Sequence, residues 1–367
     1  MRRVDLSTFD SAKENRCCMN DLESLRRQCT GGLGEWSRYP LPPWCQGGPA
    51  LLNGRHSHLA MTEARVAVGV CSISFDGTAS TRIGARDGPG AIRRSSLSFS
   101  SQARSRDIED FIHMGNAARV RLHSPEIADF GDLHVFPTDL DRQLRATVCE
   151  VFEVAKRSEL VVILGGEHTI SYPAFVGVAE SAASRGSGKI GYVQVDNHFD
   201  FGASSILHGA HYHGSNARRI AEYLSMDLQR LGFVGQGDIT SLHQFESLRA
   251  RGCTIRNMND IRNHGYEKCL RQVLDAVTKN APDGLYVSID IDACDCSVAP
   301  GTGHVTIGGL KAEEFIATAR ILQSYRLRAV DIVEVNPSLD PTGRTAFIAA
   351  RLLYELLLLD WNAMSAA

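Results

Sequence analysis

From residue 66 onward the chain alternates between two hydrophobic patterns. Unbroken apolar, β-branched runs fall at 66–73 (VAVGVCSI), 159–164 (ELVVIL), 189–195, 231–235, 285–291 (LYVSIDI) and 328–335 (RAVDIVEV). Between them lie segments whose apolar positions recur with helical spacing: DRQLRATVCEVFEVAKRS (141–158), LHQFESLRARG (242–252), KAEEFIATARILQSY (311–325) and RTAFIAARLLYELLLLDW (344–361). Strands alternating with helices of this length predict βαβ units, and strands apolar throughout predict a parallel sheet buried on both faces. Ligands of such sheets sit beyond the carboxyl ends of the strands. No internal repeat or low-complexity tract interrupts the pattern.

Residues 1–65 read differently. They hold Cys17, Cys18, Cys29, Cys45, Trp36, Trp44 and the stretch YPLPPWCQGGP, and Pro and Gly at that density break regular structure. The expectation is an irregular N-terminal arm over 1–65, with one helix near 10–28, ahead of a single domain over 66–367. Two tryptophans in such an arm imply that it packs on its own domain or on a neighbouring subunit.

Composition narrows the class. The 367 residues are 43% hydrophobic and 22% charged with a formal net charge of -3, which is globular and lacks the basic stripe of a nucleic-acid binder. No apolar run is long enough to span a membrane. The N-terminus lacks the apolar stretch of a signal peptide, and Asp5, Asp10 and Glu14 make it a poor transit sequence, so the expected location is cytoplasmic. Ten cysteines in a chain this long are too few for a disulfide scaffold, and Cys294-x-Cys296 has the wrong spacing for a zinc ribbon. Reduced thiols are the plain reading.

The chemistry collects at strand ends. The run at 190–195 leads into Asp196, His198 and Asp200, which alternation along a strand would turn to one side. The run at 159–164 leads through two glycines to His168, and LYVSIDID delivers Asp290 and Asp292, with Ile289 and Ile291 facing the opposite, buried side. Taken singly, each has a plain alternative: a polar strand end in a surface loop, a capping or core histidine, or N-cap acids. Together they put four carboxylates and two imidazoles at one sheet edge. Burying that many acids is prohibitive unless cations neutralise them, and two divalent ions would do so while acidifying a water into a nucleophile. A mixed His/carboxylate shell suits Mn, Fe, Ni or Zn better than Ca or Mg. Glu334, in VEVNPSLD, reaches the same edge without being needed as a ligand. It is either a seat for a cationic, guanidinium-bearing substrate or a structural acid paired with Arg344.

The motifs GGEHTI, DNHFD, SIDIDACD, APGTG and EVNPSLDPTGRTA, in this order, resemble the ureohydrolase family of arginase and agmatinase. FDGTASTRIGARDGPGAIRRSS (75–96), IADFGD (127–132) and HGSNARRI (213–220) resemble its agmatinase branch, and the likeness covers roughly residues 66–360. The resemblance implies a three-layer α/β/α domain with a mostly parallel central sheet, assembled as a trimer or hexamer. It implies one metal held by His168, Asp196, Asp200 and Asp290, and a second by His198, Asp196, Asp290 and Asp292. Asp200 would orient the nucleophile, His213 would pass a proton to the leaving amine, and Glu334 would anchor the guanidinium of a small-molecule substrate. The family usually uses manganese, and some relatives use nickel.

The sequence departs from the family pattern beside the site. Asn197 stands where Ala is usual, His304-Val305 replaces Thr-Pro, and Cys296 replaces the Pro after Asp295. Gly202 stands where arginases carry Asn, which disfavours arginine. The loop FGASSILHGAHY (201–212) has no acid for agmatine's distal ammonium and no Lys or Arg for a guanidino acid's carboxylate; it offers small residues, Ile206, Leu207, His208 and His211. That favours a compact or weakly charged guanidine: guanidine itself, or an N-alkylated guanidine or biguanide such as metformin. An agmatinase or guanidino-acid hydrolase stays open if other segments read the tail, including QGGPALL (46–52) of a neighbouring subunit. A supporting subunit of a hetero-oligomeric ureohydrolase is the reading from a different class.

Overall fold

A computed structural model of the chain describes residues 48–57, 65–99, 111–113, 115–116, 118–123 and 125–361. Trp36, Trp44 and the helix expected near 10–28 lie outside the described residues. The strands are β1 (Arg55–His56), β2 (Val66–Ile73), β3 (Phe111–His113), β4 (Ala118–Leu122), β5 (Ile127–Asp132), β6 (Ser158–Gly165), β7 (Ile190–Val195), β8 (Leu231–Val234), β9 (Thr254–Arg256), β10 (Gly284–Asp290), β11 (Leu327–Val333) and β12 (Leu359–Asp360). Nine form one sheet in the order β1-β5-β2-β6-β11-β10-β7-β8-β9, every neighbouring pair parallel. The other three make a small antiparallel sheet, β12-β4-β3.

Alternation along the strands feeds two cores. In β6, Val162 and Leu164 join the core on one face while Val161 and Ile163 join the other. Helices Gly88–Ser96, Met258–His264, Tyr266–Asn280, Ala312–Leu322 and Arg344–Leu358 cover the first face. Helices Leu140–Arg157, Ser171–Ala183, Asn216–Tyr223 and Leu242–Ala250 cover the second. The parallel sheet between two helical layers is the expected fold. Helix Leu140–Arg157 begins where the Asp139 side chain accepts the N–H of Arg142 at 3.0 Å, and Lys156 and Arg157 complement its carboxyl end. Helix Ser171–Ala183 escapes a periodicity search for a physical reason: SYPAFVGVAESAA is buried nearly all round, so it has no polar face to set a period.

Leu51 and Leu52 are buried against their own chain, with the Leu51 N–H on Asp129 Oδ2 at 2.8 Å and the Leu52 N–H on Ser96 Oγ at 2.9 Å. β1 then adds to the sheet beside β5. Asp129 also takes two hydrogen bonds from the buried Arg93 guanidinium, at 2.9 and 2.8 Å, so one internal carboxylate fastens three segments. Among the described residues no helix is long and apolar enough to cross a membrane. The described cysteines Cys71, Cys253, Cys269, Cys294 and Cys296 are free thiols, and Cys149 is buried.

Candidate active site

The four central neighbours β6, β11, β10 and β7 all end at one edge, and each delivers a polar group there. β6 runs through Gly165 and Gly166 to His168. Gly166 must be glycine, because a Cβ there would lie 1.9 Å from the carbonyl oxygen of Phe75. Its N–H bonds Ile73 O and its carbonyl accepts the N–H of Glu334, both at 2.8 Å, which ties the ends of β2, β6 and β11 together.

The structure corrects one detail of the strand-face reading. β7 stops at Val195, so Asp196, His198 and Asp200 stand in the turn beyond it rather than along a strand. The Asp196 carboxylate accepts the N–H of His198 at 2.5 Å, and Asp200 takes a left-handed conformation, φ +46°. Likewise β10 ends at Asp290, whose Oδ1 accepts the N–H of Asp292 at 2.8 Å and caps the short turn Ile291–Ala293. Side chain–backbone bonds, rather than pleat alternation, gather these acids. Ile289 and Ile291 are fully buried, as expected.

Two clusters result. Around His168 Nδ1 lie Asp200 Oδ2 at 2.9 Å, Asp290 Oδ2 at 3.1 Å and Asp196 Oδ2 at 3.2 Å. Around His198 Nδ1 lie Asp292 Oδ2 at 3.0 Å and Asp196 Oδ1 at 3.5 Å. His168, Asp196, Asp200 and Asp290 could hold one metal ion, and Asp196, His198 and Asp292 another, with Asp196 turning one oxygen to each. His168 and Asp196 are wholly buried, Asp290 and Asp292 nearly so. In the absence of a cation, burial and the charge of Asp196 push Asp292 up to about 6. Burial and the like charges of Asp292 and Asp196 raise Asp290 far more.

The residues fit metal ions on one internal observation. His168 Nε2 lies 2.9 Å from Ser288 Oγ, and that hydroxyl gives its only proton to Asp331 Oδ1 at 2.7 Å. In the neutral imidazole the proton therefore sits on Nε2, donated to Ser288, and Nδ1 keeps its lone pair. Without a cation, burial alone would lower the ring's pKa, but Asp196, Asp200 and Asp290 outweigh it and hold His168 well above the usual histidine range. Nδ1 has no hydrogen-bond partner, is buried, and points at three carboxylates. A lone pair surrounded by acceptors calls for a cation, and a mixed His/carboxylate donor set suits Mn, Fe, Ni or Zn better than Ca or Mg.

Glu334 closes the group. It adopts φ +63°, accepts the N–H of His168 on Oε1 at 2.8 Å, and among the described residues has no donor on Oε2. Burial and neighbouring Glu167 push its carboxyl up to about 8. Arg344 does not pair with it; that guanidinium bonds Thr342 Oγ1 and Ser297 O instead. His213 begins the turn His213–Ser215, shares a short hydrogen bond with Ser80 Oγ, and is held below the usual histidine range chiefly by burial. Asn216 donates to Asp200 Oδ2 at 3.1 Å.

Other residues of the site were not found by pattern. Ser288 stands two before Asp290 on the same strand, and a serine in an apolar run carries no signal by itself. Ser80 and Asp331 come from separate segments, as does His304, which the sequence marks as a departure from the family pattern. Asp238, on the loop after β8, places a carboxylate 3.6 Å from His198 Nε2, in a pocket that also includes Asn197, Phe201, Gly202 and Ile239. Ile206 and Leu207, expected to face a substrate, are instead fully or largely exposed and outside that pocket, and His211 stacks on Tyr172.

A family model described as the arginase family matches residues 66–359. The chain belongs to the arginase family. As a member it is a hydrolase of the ureohydrolase class. It is 31% identical over 288 residues to a human protein named guanidino acid hydrolase, mitochondrial, covering 78% of this chain and 76% of that one. A guanidinobutyrase of Pseudomonas aeruginosa is 30% identical over 296 residues, covering 78% of this chain and 83% of that protein. Among solved structures, the proclavaminate amidino hydrolase of Streptomyces clavuligerus superposes with a TM-score of 0.69 at 23% identity, covering 84% of this chain and 95% of that one. This likeness supports the arginase-family fold described above.

Proposed function

We propose that this arginase-family member hydrolyses the C–N bond of a guanidino compound, giving urea or a substituted urea and an amine. The observation that carries the reading is the pair of His/Asp clusters sharing Asp196, with the unpartnered oxygen of Glu334 beside them. Two divalent ions, manganese by family habit and nickel as the alternative, would supply a nucleophilic hydroxide at neutral pH. His168, Asp196, Asp200 and Asp290 would hold one, and His198, Asp196 and Asp292 the other, with Asp290 added to the second by the family resemblance. Glu334 seats the guanidinium through charge-assisted hydrogen bonds. Asp200, steadied by Asn216, orients the nucleophile, and His213, steadied by Ser80, carries a proton to the leaving amine.

The substrate we favour is a small or weakly charged guanidine, because the loop 201–212 brings no ion to the site. The agmatinase reading has one observation of its own: Asp238 offers a carboxylate in the adjoining pocket for a cationic tail. The guanidino-acid reading is supported by the names of the two relatives above. A supporting role in a hetero-oligomer fits less well, since the whole ligand set, His213 and Glu334 are intact. A trimer or hexamer, homo- or hetero-oligomeric, in the cytoplasm completes the proposal.

Urea or substituted-urea release should be measured with purified protein reconstituted with Mn or Ni, across guanidine, alkylguanidines, metformin, agmatine and guanidino acids. Turnover of at least one with metal present is expected. No turnover of any guanidine with either metal would sink the proposal.

A further inference from the structure

His304 occupies a place that no ligand or proton carrier requires. It follows Gly303, and a Cβ built on Gly303 would find Glu334 Oε2 at 3.9 Å and Arg82 O at 3.6 Å, with nothing closer. Gly303 therefore lies against Glu334 Oε2, the oxygen that has no donor among the described residues. This segment is held firmly. Arg82 Nε bonds Gly303 O at 3.1 Å, Asn336 N–H bonds Gly301 O at 2.7 Å, Gly301 N–H bonds Thr345 Oγ1 at 2.8 Å, and Cys296 N–H bonds Thr306 O at 2.7 Å. From this fixed peptide the imidazole of His304 reaches across the site. Its ring lies nearly parallel to that of His213, 5.9 Å between centroids at 21°, and meets His198 edge to face at 5.8 Å and 75°. Three imidazoles thus stand in a row, with His304 bridging the residue at one side of the metal clusters to the residue at the other.

We propose that His304 is a specificity-determining gate: its ring covers the guanidinium seat and restricts turnover to guanidines with small substituents. This rests on the function proposed above and deepens it. A guanidinium paired with Glu334 lies beneath the 303–304 peptide, so a substituent on its nitrogens must leave along the row of rings. A short substituent leaves the ring where it stands; a longer alkyl chain would have to displace the imidazole from its place against His213. A wall that meets one methylene costs on the order of tenfold in kcat/KM.

The test compares wild type with His304→Ala, His304→Thr and His304→Phe, each metal-loaded, on guanidine and straight-chain N-alkylguanidines from methyl to hexyl. kcat/KM is read for every substrate and metal content for every protein. For the wild type, kcat/KM should fall with chain length. In the Ala and Thr variants the butylguanidine-to-guanidine ratio should rise about tenfold or more with metal content unchanged, and the Phe variant should keep the wild-type selectivity because it keeps a ring. An unchanged ratio in Ala and Thr overturns the gate, including the case where all substrates slow by one common factor, which would make His304 a positioning residue for His213. Loss of metal in the Ala and Thr variants also overturns it. A wild type that turns over no guanidine overturns the proposed function itself, and the gate with it; a wild type that is active with unaltered variants overturns the gate alone.

Discussion

Ser288 Oγ lies 2.9 Å from Nε2 of His168, on the side of the ring turned away from the metal clusters. Because Ser288 passes its own proton to Asp331, and Asp331 also takes the Tyr286 hydroxyl at 2.6 Å, the orientation of one ring depends on a carboxylate in the middle of β11. Groups that orient a metal-binding histidine commonly affect affinity by 10- to 100-fold. Ser288→Ala and Asp331→Asn should each weaken metal binding by roughly that factor while leaving the circular-dichroism spectrum intact. Metal titration followed by fluorescence or calorimetry would check it; unaltered affinity in both would remove the relay from the account.

Asp292 and Glu334 separate the metal from the substrate. Asp292→Ala takes away a donor of the second cluster and should abolish activity together with about half of the bound metal, or all of it if the ions bind cooperatively. Glu334→Gln should leave metal content normal and raise KM, because a neutral amide pairs less well with a guanidinium. Elemental analysis beside steady-state kinetics distinguishes the two, and metal loss in the Glu334 variant would make that residue a ligand or a structural acid.

Away from the site, Asp129 should behave as a structural hub. Asp129→Ala strips Arg93 of a bidentate partner within the protein and frees the N–H of Leu51. Removing one member of a buried ion pair costs about 3–5 kcal/mol. The urea midpoint should shift down accordingly with an unchanged slope and retained metal.

The acid limb of stability has a contribution at Asp340. Burial alone would raise its carboxyl, but hydrogen bonds from Thr342 and Thr345 outweigh that and hold it below the usual range. A depressed folded-state pKa gives stability that is complete above the unfolded value, near 4, and is lost as pH falls through the folded value. Asp340→Asn should therefore cost most at neutral pH, and the gap to wild type should narrow as pH drops below about 4. Chemical denaturation at a series of pH values would show it; a gap that stays constant would mean that Asp340 acts through packing alone.

The sequence carried the sheet and the reactive edge well, because a strand such as VAVGVCSI and a turn such as DNHFD signal through local pattern alone. It carried the surroundings poorly. IADFGD holds the buried Asp129 and is too mixed in polarity to stand out as an apolar run, though it forms the strand β5. The alternation argument brought the right acids together for a partly wrong reason, since β7 ends before Asp196 and the turn does the gathering. Asp331, Ser80, Asp238 and His304 act through partners far away in the chain, 120 to 133 residues for the contacts of Ser288 and Ser80. Such partnerships are set by how strands pair, and strand order is not a local property.

Asp200 and Glu334 share an uncomfortable backbone, φ +46° and +63°, in a region that suits glycine better than a carboxylate-bearing residue. Each such residue costs roughly 1–3 kcal/mol, so a glycine at either position would make the fold easier to hold. Selection for stability alone would thus favour glycine at both positions. A protein relieved of the proposed chemistry could trade both acids for glycine and become sturdier with the same sheet, so the strain at these two positions is what the proposed reaction would cost the fold.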